Sequence, residues 1–297
     1  MRKLYAVNFF SPGPRGEGEI YRKVRDYNTK TAYTRGKVDR VFEYEDRDIT
    51  PLKEECPEIM GISRGAGLWL WKPYIIYDAL TKIEEGDYLF YCDAGSIYWN
   101  DVHQLVKVMV RDNISIMPFE LPLIARCWTK HETFVQMGCT DFDHNQCQAT
   151  FLLMKNSLEA RSFIKEWLEH SKDIKKLSGK HFFSEIQEFP EYISHREDQS
   201  ILDILVRKHN LQTYREPSDH GYIKTWYKGY GNAFNLRKFK NSPYGIIVLN
   251  PKKSDPFLYE RNTRRFLLKK KFGLESEFMI KIKGRIFALL NKRVVNK

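Results

Sequence analysis

The segment with the most chemical promise is Tyr88-Leu89-Phe90-Tyr91-Cys92-Asp93-Ala94-Gly95. A compact apolar run ends on a carboxylate, followed by two small residues that let a ligand approach the backbone closely. Asp93 could carry a divalent metal with a diphosphate, bind a ribose hydroxyl, or cap the next helix. A second segment, Arg64-Gly65-Ala66-Gly67-Leu68-Trp69-Leu70-Trp71-Lys72-Pro73, sets two Trp and a Lys before a helix start at Pro73. Phosphate or sugar is readily held at such a start, with aromatic faces for the ring and Lys for the phosphate. The plainer reading is that Trp69 and Trp71 are core and Lys72 is solvated. In a third segment, Ser194-His195-Arg196-Glu197-Asp198-Gln199-Ser200, the Ser194/Glu197 spacing matches a capping box. Asp198 and Gln199 then stand in the first helical turn. There a carboxylate gains from the helix dipole, whether or not it does chemistry.

Taken together, Gly67 to Gly95 with Trp69, Trp71-Lys72-Pro73 and Asp93-Ala94-Gly95 resembles bacterial nucleotide-sugar glycosyltransferases of the GT-A fold. Asp198-Gln199-Ser200-Ile201-Leu202 resembles the Asp-Gln helix of retaining members such as glycosyltransferase family 8. The resemblance spans about residues 1–230 in order and spacing. It implies a Rossmann-like nucleotide-binding fold with a mixed, mostly parallel central sheet. It also implies transfer of a hexose-type sugar from a nucleotide-diphosphate sugar, UDP-linked or other, to a saccharide or lipid-linked saccharide in capsule, exopolysaccharide or lipopolysaccharide synthesis. Asp93 matches the first Asp of the family's Asp-x-Asp metal motif, but Gly95 stands at the third position. A Mn²⁺ or Mg²⁺ ion would then need a further ligand, and His220, in a loose match to the family's downstream His, is the candidate. Val7, Asn8 and Phe9, at the end of the first strand, are expected near the nucleotide. Asp198 would serve as base in an inverting enzyme, or join Gln199 in binding the donor sugar. Family likeness favours retention.

These segments need a scaffold, and strands and helices alternate along the chain. Strands are predicted at Leu4–Phe10, Arg40–Tyr44, Tyr88–Cys92, Ile114–Phe119, Ala149–Met154, Leu211–Tyr214 and Gly245–Leu249. Helices are predicted at Ile20–Ala32, Pro73–Ile83, Asp101–Arg111, Leu158–His170 and from Ser194 onward. A further capping-box match, Thr129 with Glu132, opens a short helix. This alternation argues for an α/β sheet packed on both faces, with ligands at the carboxyl ends of its strands. Among the many aromatic residues, Trp99, Trp128, Tyr222 and Trp226 are candidates for stacking on sugar.

The 297 residues carry 49 Lys+Arg against 38 Asp+Glu, a net charge of +11. That excess alone suggests nucleic acid or an anionic membrane. Residues 261–297 hold 12 basic and 2 acidic side chains, so residues 1–260 are nearly neutral. The division is a catalytic domain over 1–260 and a basic amphipathic helical tail over 261–297. In the tail, Phe278, Met279, Ile282, Ile286, Leu289 and Leu290 share one helical face, and Lys281, Arg285 and Lys292 the other. That pattern suits an anionic lipid surface or docking on the body. A neutral body without a zinc finger, KH or RNP signature argues against a nucleic-acid-binding protein. A nucleotidyltransferase on a related fold is the other rival, weakened by the lack of an N-terminal Gly-rich phosphate loop with Lys. Five cysteines in no disulfide pattern suggest a reducing compartment. Cys139, His144 and Cys147 are close in sequence but lack the spacing of a structural zinc site. The apolar stretch after Met1 ends by Phe10, and no window suits a membrane span. The expectation is a cytoplasmic protein, peripheral on the inner face of the cell membrane.

Overall fold

The computed structural model describes residues 2–12, 18–222, 235, 237–251 and 255–271. Its centre is a six-stranded sheet in the order β2-β1-β3-β6-β5-β7, formed by β1 (Leu4–Phe10), β2 (Arg40–Glu45), β3 (Tyr88–Cys92), β5 (Ile116–Ile124), β6 (Asn145–Lys155) and β7 (Tyr214–Arg215). β1 pairs in parallel with β2 and β3, and β5 with β7, while β6 runs antiparallel to both β3 and β5. Only β6 therefore opposes the common direction of this sheet, which is the mixed, mostly parallel sheet expected from the sequence. A two-stranded ribbon of β4 (Ile97–Tyr98) and β8 (Val248–Leu249) lies beyond the end of β3.

Alternating side chains feed two cores, one on each sheet face. Val7, Phe9, Leu89 and Tyr91 share a cluster with the apolar sides of α2 (Trp71–Thr81), α4 (Leu158–Ser171) and α5 (Glu197–Lys208). Leu4, Ala6, Phe90 and Cys92 join the opposite cluster with Leu105, Val108 and Met109 of α3 (His103–Asp112). This parity sets the site. Tyr91 and Asp93, two residues apart, share the face covered by α2 and α5. Asn8, on the other face, is buried and donates to Asn28 Oδ1 of α1 (Gly18–Thr31) at 2.8 Å.

β6 is irregular where it passes the end of β3. Pro118 pairs with Leu152 and Glu120 with Cys147, so two steps along β5 match five along β6. The excess swaps the faces of β6: Cys147 and Ala149 share a cluster with Leu152 and Met154, across a parity change. Such irregularities re-aim side chains beside sites. Here Thr150 turns its carbonyl to the Asp93 N–H at 3.0 Å.

Both capping boxes give way to tertiary partners. The helix after Thr129 runs His131–Gln136. The Thr129 hydroxyl donates to Ser200 Oγ at 3.0 Å, and Glu132 accepts the N–H groups of Phe182 and Phe183. α5 starts at Glu197, whose carboxylate is taken by Arg64, while Ser194 Oγ donates to its neighbour's carbonyl at His195. The last helix described, α6 (Pro256–Lys271), crosses the 260/261 boundary. Its Glu260 is tied to the body by Tyr27 and Arg35. The apolar and basic residues of 272–297 lie outside the described residues. Among those described, no helix is long and apolar enough to cross a membrane.

Candidate active site

β3 delivers Asp93 to the carboxyl edge of the sheet. The Ser96 N–H bonds back to the Asp93 carbonyl at 2.9 Å, closing a tight turn over Ala94 and Gly95. The Asp93 side chain is 36% exposed. Gly95 is exposed, and the space over its backbone is open on the side where a Cβ would stand. Tyr91, two residues back on the same face, donates its hydroxyl to Asp93 Oδ1. Burial first, and then the Asp93 carboxylate, hold that phenol far above its usual pKa, so it stays a donor.

Lys72 arrives by an unusual path. Gly65, Ala66, Gly67, Leu68 and Trp69 all have positive φ, between +51° and +95°, so the chain makes a left-handed turn into α2. Each non-glycine residue in this conformation costs about 1–2 kcal/mol. At Gly67 a Cβ would stand 3.0 Å from the Met60 backbone, so glycine is required there on space as well as on φ. Three contacts hold the turn. Leu68 is buried, the Trp71 indole N–H donates to the Gly65 carbonyl at 2.9 Å, and Arg64 Nε lies 2.7 Å from Glu197 Oε1. Glu197 also has positive φ, +43°, so the Arg64 ion pair joins two strained segments.

The helix begins at Trp71 rather than Pro73, and Trp71 and Lys72 are both buried. Trp71 stacks on Phe9 with centroids 4.1 Å apart, so both are packing residues at this edge, and Val7 is wholly within the core. Lys72, only 4% exposed, places Nζ 3.1 Å from Asp198 Oδ2 and 3.5 Å from Asp93 Oδ1. Its ammonium also stands 5.4 Å from the Tyr91 ring centroid and 5.9 Å from that of Trp71. Burial disfavours the ammonium, but Asp198 and then Asp93 outweigh it, and its pKa lies above the ordinary lysine value. The plainer expectation of a solvated Lys72 is therefore corrected: it is the buried cation of the site.

Asp198, 4% exposed, comes from the first turn of α5. Its carbonyl accepts the Trp167 indole N–H at 2.9 Å, which anchors the helix start to α4. Burial pushes its carboxyl up to about 7; Lys72 pulls it down, and Asp93 and Glu197 add to the rise. The Lys72 ammonium pairs with its Oδ2 at 3.1 Å.

Gln199 is half-buried and fixed by β6: its amide donates to Gln146 Oε1 at 2.7 Å, and its carbonyl lies 3.4 Å from the Ala149 N–H. Gln146 in turn donates to Thr129 Oγ1 at 3.0 Å. The site thus joins Lys72, Asp93, Asp198 and Gln199, and adds Tyr91, Arg64 and Gln146, which sequence reasoning passed over. Strand parity two residues before Asp93 was a signal for Tyr91; Arg64 and Gln146 had none. Among the stacking candidates, Trp99 lies under Arg264, Trp128 under Arg196 and Tyr222 under Arg215, while Trp226 is outside the described residues.

Asp93 and His220, the residues proposed for a divalent metal, each have a protein partner. His220 is buried, and its Nε2 lies 3.0 Å from the Asn250 carbonyl oxygen, so Nε2 carries the proton and the lone pair of the neutral ring is on Nδ1. Asp93 Oδ1 already faces the Tyr91 hydroxyl and the Lys72 ammonium. Among the described residues no three His, Cys, Asp or Glu side chains are grouped to hold an ion. The Cys139, His144 and Cys147 stretch is likewise occupied: His144 Nε2 and the Cys147 N–H both pair with Asp203.

No family model and no curated protein sequence matches the chain. Among solved structures it is similar to mouse xyloside xylosyltransferase 1 in its apo form, at 8% identity over 84% of this chain and 98% of that one, with a TM-score of 0.45. It is also similar to the galactosyltransferase LgtC in complex with donor and acceptor sugar analogues, at 12% identity over 82% of this chain and 86% of that one, TM-score 0.42. A third is the apo-form glycosyltransferase GlyE of Streptococcus pneumoniae TIGR4, at 13% identity over 95% of this chain and 63% of that one, TM-score 0.37. All three are glycosyltransferases.

Asp198 makes stability depend on pH. Its folded pKa of about 7 lies above its unfolded value, so its contribution is full below the unfolded pKa and is lost as pH rises through the folded one. Between pH 5 and 7 this group alone makes stability fall as pH rises. Urea unfolding across pH 5–8 should show the fall in the wild-type chain and a shallower one in Asp198→Asn. Parallel pH profiles for the two chains would contradict the assignment.

Proposed function

We propose that this chain is a glycosyltransferase. It moves a hexose-type sugar from a nucleotide-diphosphate sugar to a saccharide or lipid-linked saccharide acceptor in cell-surface polysaccharide synthesis. The observation that carries the reading is the convergence of Asp93, Lys72 and Asp198 at the carboxyl end of a central parallel strand, beside the open backbone of Gly95. Open α/β sheets bind ligands at that edge.

Each residue has a task the geometry supports. The exposed part of the Asp93 carboxylate accepts hydroxyls of the donor's ribose or sugar. Ala94 and Gly95 let the diphosphate approach the backbone. The N-terminus of α5 favours negative charge close by. The Asp198 carboxylate accepts a sugar hydroxyl, and Gln199 holds the same side of the ring. This holding of donor and acceptor in line supplies much of the rate. The resemblance to family 8 carries the retaining course. There Asp198 and Gln199 would lie on the sugar face opposite the leaving group.

We further place the protein on the cytoplasmic face of an anionic membrane, where a lipid-linked acceptor would lie. In support, α6 turns Phe257, Leu258 and Leu268 outward at 51%, 45% and 50% exposure, beside the exposed Arg261, Arg265 and Lys269. An apolar and basic face of this kind suits the headgroup boundary.

Two experiments decide these points. A panel of UDP-, GDP-, CMP- and dTDP-sugars, followed by thermal shift and donor hydrolysis, should give a response to one nucleotide class. Asp93→Ala and Asp198→Ala should each lower transfer roughly 100-fold or more. No response to any donor, or unchanged transfer in both variants, contradicts the reading. For the membrane, the full chain should co-sediment with phosphatidylglycerol vesicles but not phosphatidylcholine vesicles. A Leu258→Glu/Arg261→Glu/Arg265→Glu chain should lose that binding, and equal sedimentation would reject the placement.

A further inference from the structure

Two carboxylates at a site for a diphosphate pose an electrostatic problem. Asp93 and Asp198 together would repel the ligand's phosphates, and one general remedy is a divalent cation between carboxylates and phosphate. In this chain the space between the carboxylates is filled: Lys72 Nζ stands 3.1 Å from one and 3.5 Å from the other. Its stem is enclosed, and the Tyr91 and Trp71 rings flank the ammonium. Withdrawing it would leave two carboxylates around an unfilled space, so it cannot be exchanged like a bound ion. A divalent ion on Asp93 would face this fixed positive charge. It would also need further protein ligands where Gly95 stands, and among the described residues no three His, Cys, Asp or Glu side chains are grouped to supply them.

We infer that Lys72 is the resident cation of the donor site, neutralising Asp93 and Asp198 so that a nucleotide diphosphate binds there without a divalent metal. This rests on the donor-site reading above and assigns Lys72 as a positioning residue, since its ammonium lies beneath the carboxylates. The internal neutralisation accounts for the Asp-Ala-Gly sequence: with the charge balanced from below, the third position needs no second carboxylate and is left to open backbone.

The test uses the full chain, the nucleoside diphosphates UDP, GDP and dTDP and the monophosphate CMP as probes, and Mn²⁺ as the metal. By calorimetry, the nucleotide that binds should change its Kd by less than about threefold between EDTA and Mn²⁺. A nucleotide that binds only with Mn²⁺, or more than about thirtyfold tighter with it, overturns this inference while leaving the donor site standing. Binding of none of the four overturns the donor-site reading and this inference with it. Electron paramagnetic resonance of Mn²⁺ gives a second readout that does not depend on turnover. The wild-type chain should leave Mn²⁺ free. Lys72→Met, with two carboxylates uncovered, should bind it, and Lys72→Met/Asp198→Asn, with one, should not. Mn²⁺ held equally by wild type and Lys72→Met would overturn the assignment. Near-ultraviolet circular dichroism checks that each variant is folded. Should Lys72→Met fail to fold, the EDTA comparison on the wild-type chain decides alone.

Discussion

A lysine ammonium withdrawn from water must be paired, because an isolated buried charge is prohibitively costly. In this protein the requirement falls on Lys72, and much of the surrounding architecture follows from meeting it. The two carboxylates that answer it come from distant parts of the chain: Asp93 from the end of β3 and Asp198 from the first turn of α5. Three elements are thereby fixed at one point on the sheet edge. A charge group that binds these elements together also leaves a partly exposed carboxylate beside an open turn.

Backbone strain accompanies this arrangement. A left-handed turn over Gly65 to Trp69 swings the chain so that Lys72 enters the core, and Glu197 takes positive φ just before Asp198. The two segments are joined by Arg64 and Glu197 at 2.7 Å. Strain of this kind persists where surrounding contacts over-determine the conformation. Here the contacts are the Phe9–Trp71 stack, the Trp71 indole bond to Gly65 and the Trp167 indole bond to Asp198. Three indole or aromatic contacts thus anchor the starts of α2 and α5.

Much of the scaffold was legible in the chain itself. β3 was read at its observed ends because an unbroken apolar run is bounded by Gly86-Asp87 and by Asp93. α4 was read from Leu158 by its amphipathic spacing, with Phe163, Ile164, Trp167 and Leu168 inward, and Ser157 caps it there, accepting the Ala160 N–H at 3.1 Å. The site was legible only in part. Asp93, Lys72 and Asp198 were each singled out, but no local pattern says that residues 72 and 198 meet. Both Ser/Thr-x-x-Glu matches were misread for the same reason, since their glutamates were claimed by groups far away in sequence. The left-handed turn was hidden because only two of its five residues are glycine; Ala66, Leu68 and Trp69 are held there by packing and bonding that sequence does not record. His220 was drawn into the metal reading by a short motif, and its ring is engaged by the Asn250 carbonyl instead.

The central claim is that the Lys72 ion group marks the place where a nucleotide sugar binds. A crystal structure of the chain with the responding donor tests it most directly. The account predicts the diphosphate over Ala94 and Gly95, with the sugar within hydrogen-bond distance of Asp198 Oδ2 and Gln199. A donor bound elsewhere, with Asp93 and Asp198 untouched, would contradict it.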